Sequence, residues 1–274
     1  MHRRTHVLRL LVGIAVIGLL GGCSSSAPGS QTTSVTVNGH DLTLRCSGTG
    51  TPTVMIQPEW TGGISDWIDT ANLVAAKTHV CVYDPVWISD AALASTTPQQ
   101  LADDLVALLP HAGPGPYVLV GLSVGGPLVL RVASEHPDLV AGMVLVDPAV
   151  ANECTPGGLY DGVYPCVGFQ YPLLTALFGW ENERTLPLPK VPMTVLLAEN
   201  RWKARGDDVF HMPPGVTSDA AKAEFAAAYD AVLVGYAALV PGGQVVKVPF
   251  SHNIEVFSPS TVADEILKVV AAAG

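Results

Sequence analysis

The fold is decided by one stretch of sequence, Tyr117-Val118-Leu119-Val120-Gly121-Leu122-Ser123-Val124-Gly125-Gly126. Its apolar start predicts a buried strand, and the residues after Gly126 have the spacing of a helix. Between them stands Gly-x-Ser-x-Gly, the pattern of a sharp strand-to-helix turn with a serine at its tip. Because glycine lacks a Cβ, the two flanking glycines allow the tight turn. This context predicts that Ser123 is a nucleophile and that the following helix directs N–H groups at a developing oxyanion.

Apolar strands alternate with helices along the rest of the chain, which favours a mostly parallel sheet covered by helices on both faces. Asn38-Gly39 predicts the turn of a hairpin, and Thr97-Pro98 predicts a capped helix start. Further strands are predicted at 35–37, 41–46, 53–56, 80–83, 143–146, 193–198 and 244–248, and helices at about 218–239 and 261–272.

The N-terminus has the features of an export signal. A basic start with Arg3, Arg4 and Arg9 precedes the apolar run 10–20, which is shorter than the roughly 20 residues of a membrane span. The following Leu-Gly-Gly-Cys resembles the lipobox of bacterial lipoproteins, in which the cysteine becomes the lipidated first residue. We expect a signal peptide at 1–22, lipidated Cys23 and a flexible tether at 23–34, with a plain signal peptide or an uncleaved anchor as alternatives.

Net charge excludes some partners. The chain carries a formal charge of −10, and cleavage before Cys23 would remove three arginines and leave −13. Such a charge argues against nucleic acid or an anionic membrane surface as a binding partner. The lipidated N-terminus would instead hold the domain at the outer face of the cytoplasmic membrane or at another extracytoplasmic site. No sequence motif points to a cofactor.

Four further cysteines, an even number, suit an exported protein. Cys46 and Cys81 end one predicted strand and begin another, while Cys154 and Cys166 bracket a short loop. We predict the disulfides Cys46–Cys81 and Cys154–Cys166, with buried free thiols as the alternative. No cysteine or histidine pair has zinc spacing, so no metal site is predicted.

The serine turn, the stretch 136–148 and a late Ser251-His252-Asn253-Ile254 before the last helix resemble the α/β-hydrolase superfamily. The resemblance covers about 35–274 as one domain. It implies an eight-stranded sheet, a cap insertion at about 149–190 and a catalytic triad in the chain order serine, acid, histidine. Carried onto this sequence, it makes Ser123 the nucleophile and His252 the base.

The resemblance leaves more than one position open for the triad acid. The family usually places it shortly after the strand at 193–198, where this chain has Arg201. Other carboxylates follow that strand: Glu199, Asp207 and Asp208. A second family arrangement places the acid at the end of the preceding strand, which is occupied here by Asp147. Asp147 is preferred, and the other three remain open.

The resemblance also implies two oxyanion donors, the backbone N–H groups of Val124 and Trp60. Glu59 stands where a glycine is usual, and its carboxylate would oppose an oxyanion unless it points away or is protonated. The loop 83–89 also lacks the glycines of its relatives.

The sequence supports two alternative candidate functions. The first is an exported, membrane-anchored serine hydrolase, of the carboxylesterase or lipase type, which acts through an acyl-enzyme. Apolar residues in the cap suggest a hydrophobic ester as its substrate. The second is a catalytically degenerate binding or scaffold lipoprotein on the same fold, which the changes at Glu59, Arg201 and the loop 83–89 motivate.

Overall fold

The computed structural model describes residues 29–59, 62–85, 97–149, 187–201 and 216–274. The predicted signal peptide, the lipidation site Cys23, nearly all of the cap insertion and the predicted Cys154–Cys166 disulfide lie outside these ranges. Within them, no helix combines the length and apolar character that crossing a bilayer requires.

Eight strands of the described residues form one sheet, as the sequence predicted. They are β1 (Gln31–Val37), β2 (His40–Ser47), β3 (Thr53–Gln57), β4 (Val80–Asp84), β5 (Tyr117–Leu122), β6 (Val140–Val146), β7 (Met193–Ala198) and β8 (Gln244–Val248). Their spatial order is β1-β2-β4-β3-β5-β6-β7-β8. Only the β1–β2 and β2–β4 pairs are antiparallel, so the sheet is mostly parallel.

Helices cover both faces of the sheet. Those of the described residues are α1 (Ile64–Ala75), α2 (Pro98–Leu108), α3 (Gly125–Glu135), α4 (Asp219–Ala237), α5 (Ile254–Phe257) and α6 (Pro259–Ala273). Strand residues alternate between two apolar clusters: Leu119 joins α2, α3 and α4 on one face, while Val118 and Val120 join α1 and α6 on the other. This period of two is what a strand buried on both faces requires.

The sheet begins earlier than the sequence suggested. Residues 31–34, which we assigned to the tether, belong to β1 and pair with 43–46 of β2. Their side chains are exposed. The polar composition that looked like a linker therefore belongs to an edge strand, whose backbone pairs while its side chains face water.

Local signals in the antiparallel part of the sheet were interpreted correctly. Asn38 and Gly39 have φ values of 47° and 92°, as the predicted hairpin turn requires. Cys46 and Cys81 lie opposite each other on β2 and β4 and form the predicted disulfide.

Helix α1 was not predicted. Its buried side chains Trp67, Ala71 and Val74 recur at helical spacing, and this signal could have revealed it. The helix begins without a side-chain cap from Gly63. Instead, the Ile64 N–H donates to Asp84 Oδ1 at 2.8 Å, so a residue at the end of β4 satisfies the start of α1.

Candidate active site

Ser123 sits in a tight turn between β5 and α3. Its φ of 52° lies in the left-handed region, which costs a non-glycine residue about 1–3 kcal/mol. Backbone hydrogen bonds hold this conformation: the Ser123 N–H donates to Val146 O at 3.1 Å, and Ser123 O accepts from Gly126 and Ala149 at 3.0 and 2.9 Å. The side chain is only 8% exposed. Ser123 therefore lies in a strained turn that these hydrogen bonds stabilise.

The glycines around Ser123 are required by close packing. A Cβ on Gly121 would lie 2.3 Å from Gly125 O, and one on Gly125 would lie 2.6 Å from Gln57 O. A Cβ on Gly126 would lie 2.5 Å from Pro148 Cβ. The turn thus packs closely against the ends of β3 and β6. Glycine is required at these positions because a Cβ would not fit.

His252 and Asp147 form a buried pair. His252 Nδ1 lies 2.8 Å from Asp147 Oδ2, although 105 residues separate them in sequence. Asp147 directly follows β6, and His252 lies between β8 and α5. Since parallel strands bring their carboxyl ends to one edge, Ser123 after β5 shares that edge with both residues. These are the three positions that the sequence analysis selected as a triad.

Of the other acid candidates, the structure describes only Glu199, and it does not contact His252. Glu199 is exposed at the end of β7, where its backbone N–H donates to Val248 O at 2.9 Å. Asp207 and Asp208 lie outside the described residues. Asp147 is thus the carboxylate that the described structure places on the imidazole.

Arg201 makes the most unexpected contacts of the site. Its guanidinium donates from Nε to Asp147 Oδ2 at 3.0 Å and from Nη2 to Asp147 Oδ1. Nη1 donates to Asp230 Oδ1 on α4, and the guanidinium carbon lies 5.1 Å from the centre of the Tyr229 ring. Sequence reasoning placed Arg201 at the usual acid position but missed both aspartate contacts, which no local pattern indicates.

This ion pair sets the charge of both partners. Burial alone would raise the pKa of Asp147, but the charge and hydrogen bonds of Arg201, together with His252, hold that pKa below its ordinary value. Burial would lower the pKa of Arg201, but the charge and hydrogen bonds of Asp147 outweigh burial and raise that pKa above its ordinary value. Asp147 is therefore a carboxylate at neutral pH, as a histidine-orienting acid must be.

The oxyanion loop is described only in part. Val124 is the N-cap of α3 directly after Ser123, as expected for one donor. Trp60, the expected second donor, lies outside the described residues. Glu59 before it is buried and accepts a hydrogen bond from Trp67 Nε1 at 3.3 Å. Its carboxyl also fills the space beside Gly62, where a Cβ would lie 2.0 Å from Glu59 Oε1.

A second buried carboxyl accompanies Glu59. Burial raises the pKa of Glu59 and outweighs the lowering by its hydrogen bonds; the charge of Asp66 adds to the rise, and that of His252 lowers the pKa slightly. Burial and the charge of Glu59 together raise the pKa of Glu255 in α5 well above its ordinary value. The charge of Glu59 thus disfavours the ionisation of Glu255. Glu255 was missed in the sequence analysis, because an acidic residue near a helix start gave no sign of burial.

One group in the described residues has metal-ligand spacing, Cys46, His79 and Cys81, whose ligand atoms lie within 4.8 Å of one another. The disulfide joins both sulfur atoms, and a metal needs thiolates instead. We therefore assign this group to the disulfide.

Known proteins match parts of this sequence. The family described as "alpha/beta hydrolase fold" matches residues 17–163, more than half of the chain. Lipase LipV of Mycobacterium tuberculosis is 53% identical over 47 residues, which are 17% of this chain and 18% of that protein. The sn-1-specific diacylglycerol lipase ABHD11 of Mus musculus is 41% identical over 59 residues, 22% of this chain and 19% of that protein. The chain thus matches less than a fifth of the length of each relative.

Solved structures share the fold over most of the chain. A putative lipase from Acinetobacter baumannii AYE aligns with a TM-score of 0.60 at 14% identity, covering 89% of this chain and 92% of that one. The carboxylesterase CesB from Bacillus subtilis gives 0.57 at 17% identity, over 88% and 91%. An AqdC variant described as cleaving the ring of the Pseudomonas quinolone signal gives 0.58 at 13%, over 88% and 99%. At such identities the likeness shows the fold alone, and the reaction must be argued from the site.

Proposed function

Because the chain belongs to the alpha/beta hydrolase fold family, we propose that it is a serine hydrolase that cleaves carboxylic esters through an acyl-enzyme. The observation that carries this proposal is the buried His252–Asp147 contact of 2.8 Å at the sheet edge that also presents Ser123. A histidine with its Nδ1 on a carboxylate is oriented as the base of a serine nucleophile must be.

The proposed reaction uses these three side chains. Asp147 accepts the Nδ1–H of His252, so Nε2 carries the lone pair and takes the Ser123 Oγ proton as Oγ attacks the ester carbonyl. The carbonyl π electrons move to the oxygen, and the protonated imidazole then gives its proton to the departing alcohol. Water, deprotonated by His252, attacks the acyl-Ser123 ester in the same way and releases the carboxylic acid.

The oxyanion would be held by backbone N–H groups. Val124 at the start of α3 is the first proposed donor and Trp60 the second. The contact with Trp67 draws the Glu59 carboxyl towards α1, and burial favours its neutral form. Both effects reduce the repulsion that a carboxylate in this loop would exert on the oxyanion.

A hydrophobic ester is the proposed substrate class. Two relatives are lipases by name, although each matches only a short segment. We further propose that the protein is exported and carries lipid on Cys23, so that the domain acts at an extracytoplasmic membrane face. Lipid attached to Cys23 would place the active site near sparingly soluble esters.

A binding or scaffold protein without catalysis is the second candidate. Arg201 favours it, because its charge offsets that of Asp147 and so weakens the stabilisation of a protonated His252. On this alternative the ion pair would be a purely structural feature that replaced a working acid.

Covalent labelling tests the proposal. A fluorophosphonate probe should label the wild-type chain, and Ser123→Ala and His252→Ala should abolish the labelling. His136→Ala, at the C-terminal end of α3, is the matched control and should leave it unchanged. A well-folded wild type that the probe does not label would favour the binding protein. Labelling that survives Ser123→Ala would identify another nucleophile.

A further inference from the structure

Arg201 is the buried charged group that the proposed reaction leaves unused. Its side chain is 1% exposed, and all three guanidinium nitrogens donate to carboxylate oxygens. The Tyr229 ring lies beside the guanidinium carbon. A buried charge is costly unless it is paired and hydrogen-bonded. Here two carboxylates share one guanidinium, and only one of them touches His252.

We propose that Arg201 is a positioning residue that clamps the Asp147 carboxylate in the plane that His252 needs, and that Asp230 offsets its charge. The proposal rests on the triad of the proposed function. It extends that triad into a chain of five groups, Ser123, His252, Asp147, Arg201 and Asp230, that ends on α4.

The clamp follows from the way the two Asp147 oxygens are used. Oδ1 accepts the Ala198 N–H at 2.9 Å and Arg201 Nη2, while Oδ2 accepts Arg201 Nε and His252 Nδ1. The two parallel bonds from Arg201 fix the rotation of the carboxyl group. A lysine at this position would keep the charge but could not reproduce the fork.

The charges of Arg201 and Asp230 act on His252 with opposite signs. Arg201 Nε and His252 Nδ1 lie 3.0 and 2.8 Å from the same oxygen, so they are less than about 6 Å apart. The positive charge of Arg201 therefore opposes protonation of the imidazole. Asp230, whose side chain is 32% exposed, partly cancels that charge.

The other charged groups near His252 are unchanged in the variants at positions 201 and 230. Asp147 contacts it directly, and Glu59 in the loop after β3 interacts with it through charge. Asp66 acts on Glu59 through its charge, and Glu59 and Asp66 act on Glu255. Because variants at positions 201 and 230 leave these four carboxyls in place, a shift in His252 protonation reports the altered charge.

The test is an NMR titration of the His252 ring in the full-length chain, paired with pH profiles of kcat/KM for a p-nitrophenyl ester. Asp230→Asn should lower the measured midpoint of His252 protonation relative to the wild type, and Arg201→Gln should raise it, because each variant removes one of the two opposing charges. Arg201→Lys should leave the midpoint near that of the wild type but lower kcat about tenfold, because the fork is lost. Glu224→Gln removes an exposed charge from the same helix and should change neither quantity.

The NMR readout separates the two proposals, because it does not need turnover. A wild type that hydrolyses no ester would overturn the proposed function, whereas the midpoints would still test the charge coupling. Equal midpoints in Asp230→Asn and the wild type would overturn the role of Asp230. Wild-type kcat in Arg201→Lys would overturn the clamp. Should Arg201→Gln not fold, the partly exposed Asp230 keeps the test available.

Discussion

Trp67 Nε1 lies 3.3 Å from Glu59 Oε2, which ties the loop after β3 to helix α1. The sequence analysis expected the Glu59 carboxylate to oppose an oxyanion unless it points away or is protonated. Its buried position and its contact with α1 give it a second role, in supporting the loop that would supply an oxyanion donor. The ionisation of Glu59 then affects both stability and the site.

Glu59→Gln should make the protein more stable than the wild type above about pH 4.5, the ordinary value for this group. A carboxyl whose pKa is raised in the folded state stabilises the fold below its unfolded pKa, and that contribution is lost as pH rises through the folded pKa. Each pKa unit corresponds to about 1.4 kcal/mol. Glutamine keeps the acceptor for Trp67. Thermal unfolding from pH 4 to 8 measures the difference.

Glu224→Gln on the exposed side of α4 is the control for that titration and should give no pH-dependent gain. Because the charge of Glu59 raises the pKa of Glu255, the gains from Glu59→Gln and Glu255→Gln should not add in the double variant. A Glu59→Gln variant that loses stability equally at all pH values would contradict a raised pKa for this buried carboxyl.

Gly126→Ala and Gly235→Ala should change stability in opposite directions. The new Cβ at 126 would meet Pro148 Cβ at 2.5 Å, so the turn around Ser123 must shift, at a cost of about 1–3 kcal/mol. At 235, inside α4, no atom lies within 4 Å of the new Cβ. Alanine there should stabilise the helix by about 0.5–1 kcal/mol. Chemical denaturation of both variants measures the contrast, and equal effects would refute the packing argument.

Loss of the Cys46–Cys81 disulfide should destabilise the domain. The bond closes a sequence separation of 35 residues, which corresponds to about 3–4 kcal/mol in the chain-entropy model. A Cys46→Ser, Cys81→Ser double variant should therefore unfold at lower denaturant concentration, and dithiothreitol should destabilise the wild type more than the variant. Fluorophosphonate labelling of the folded variant should persist, since the bond lies between β2 and β4, away from Ser123.

Local patterns were enough to predict most of the sheet and to select Ser123 and His252 as candidate site residues. The run before Ser123 and the glycines after it encode a strand, a turn and a helix within ten residues, so no distant contact was needed. Residues 31–34 misled the prediction because an exposed edge strand and a linker share a polar composition. Helix α1 was missed because its start is capped by Asp84, a residue of another element.

The environment of the triad acid could not be predicted in the same way. Nothing in the sequence near Arg201 indicates that it reaches back to Asp147 and across to Asp230, because these contacts span 54 and 29 residues. They depend on how β6, β7 and α4 pack together. The same holds for the buried carboxyls of Glu59 and Glu255, whose burial depends on α1 and α5.

Asp147→Asn should lower kcat by about 10³- to 10⁴-fold, because the amide no longer holds His252 in the reactive tautomer. Glu199→Gln, Asp207→Asn and Asp208→Asn should remain active. Asp147→Asn also leaves Arg201 with Asp230 as its remaining anion, so stability should fall by about 3–5 kcal/mol. Adding Arg201→Gln removes that stranded charge and should restore stability without restoring kcat. Ester hydrolysis and thermal unfolding of all five variants separate the two effects. An inactive Asp207 or Asp208 variant beside an active Asp147→Asn would move the triad acid to the loop after β7.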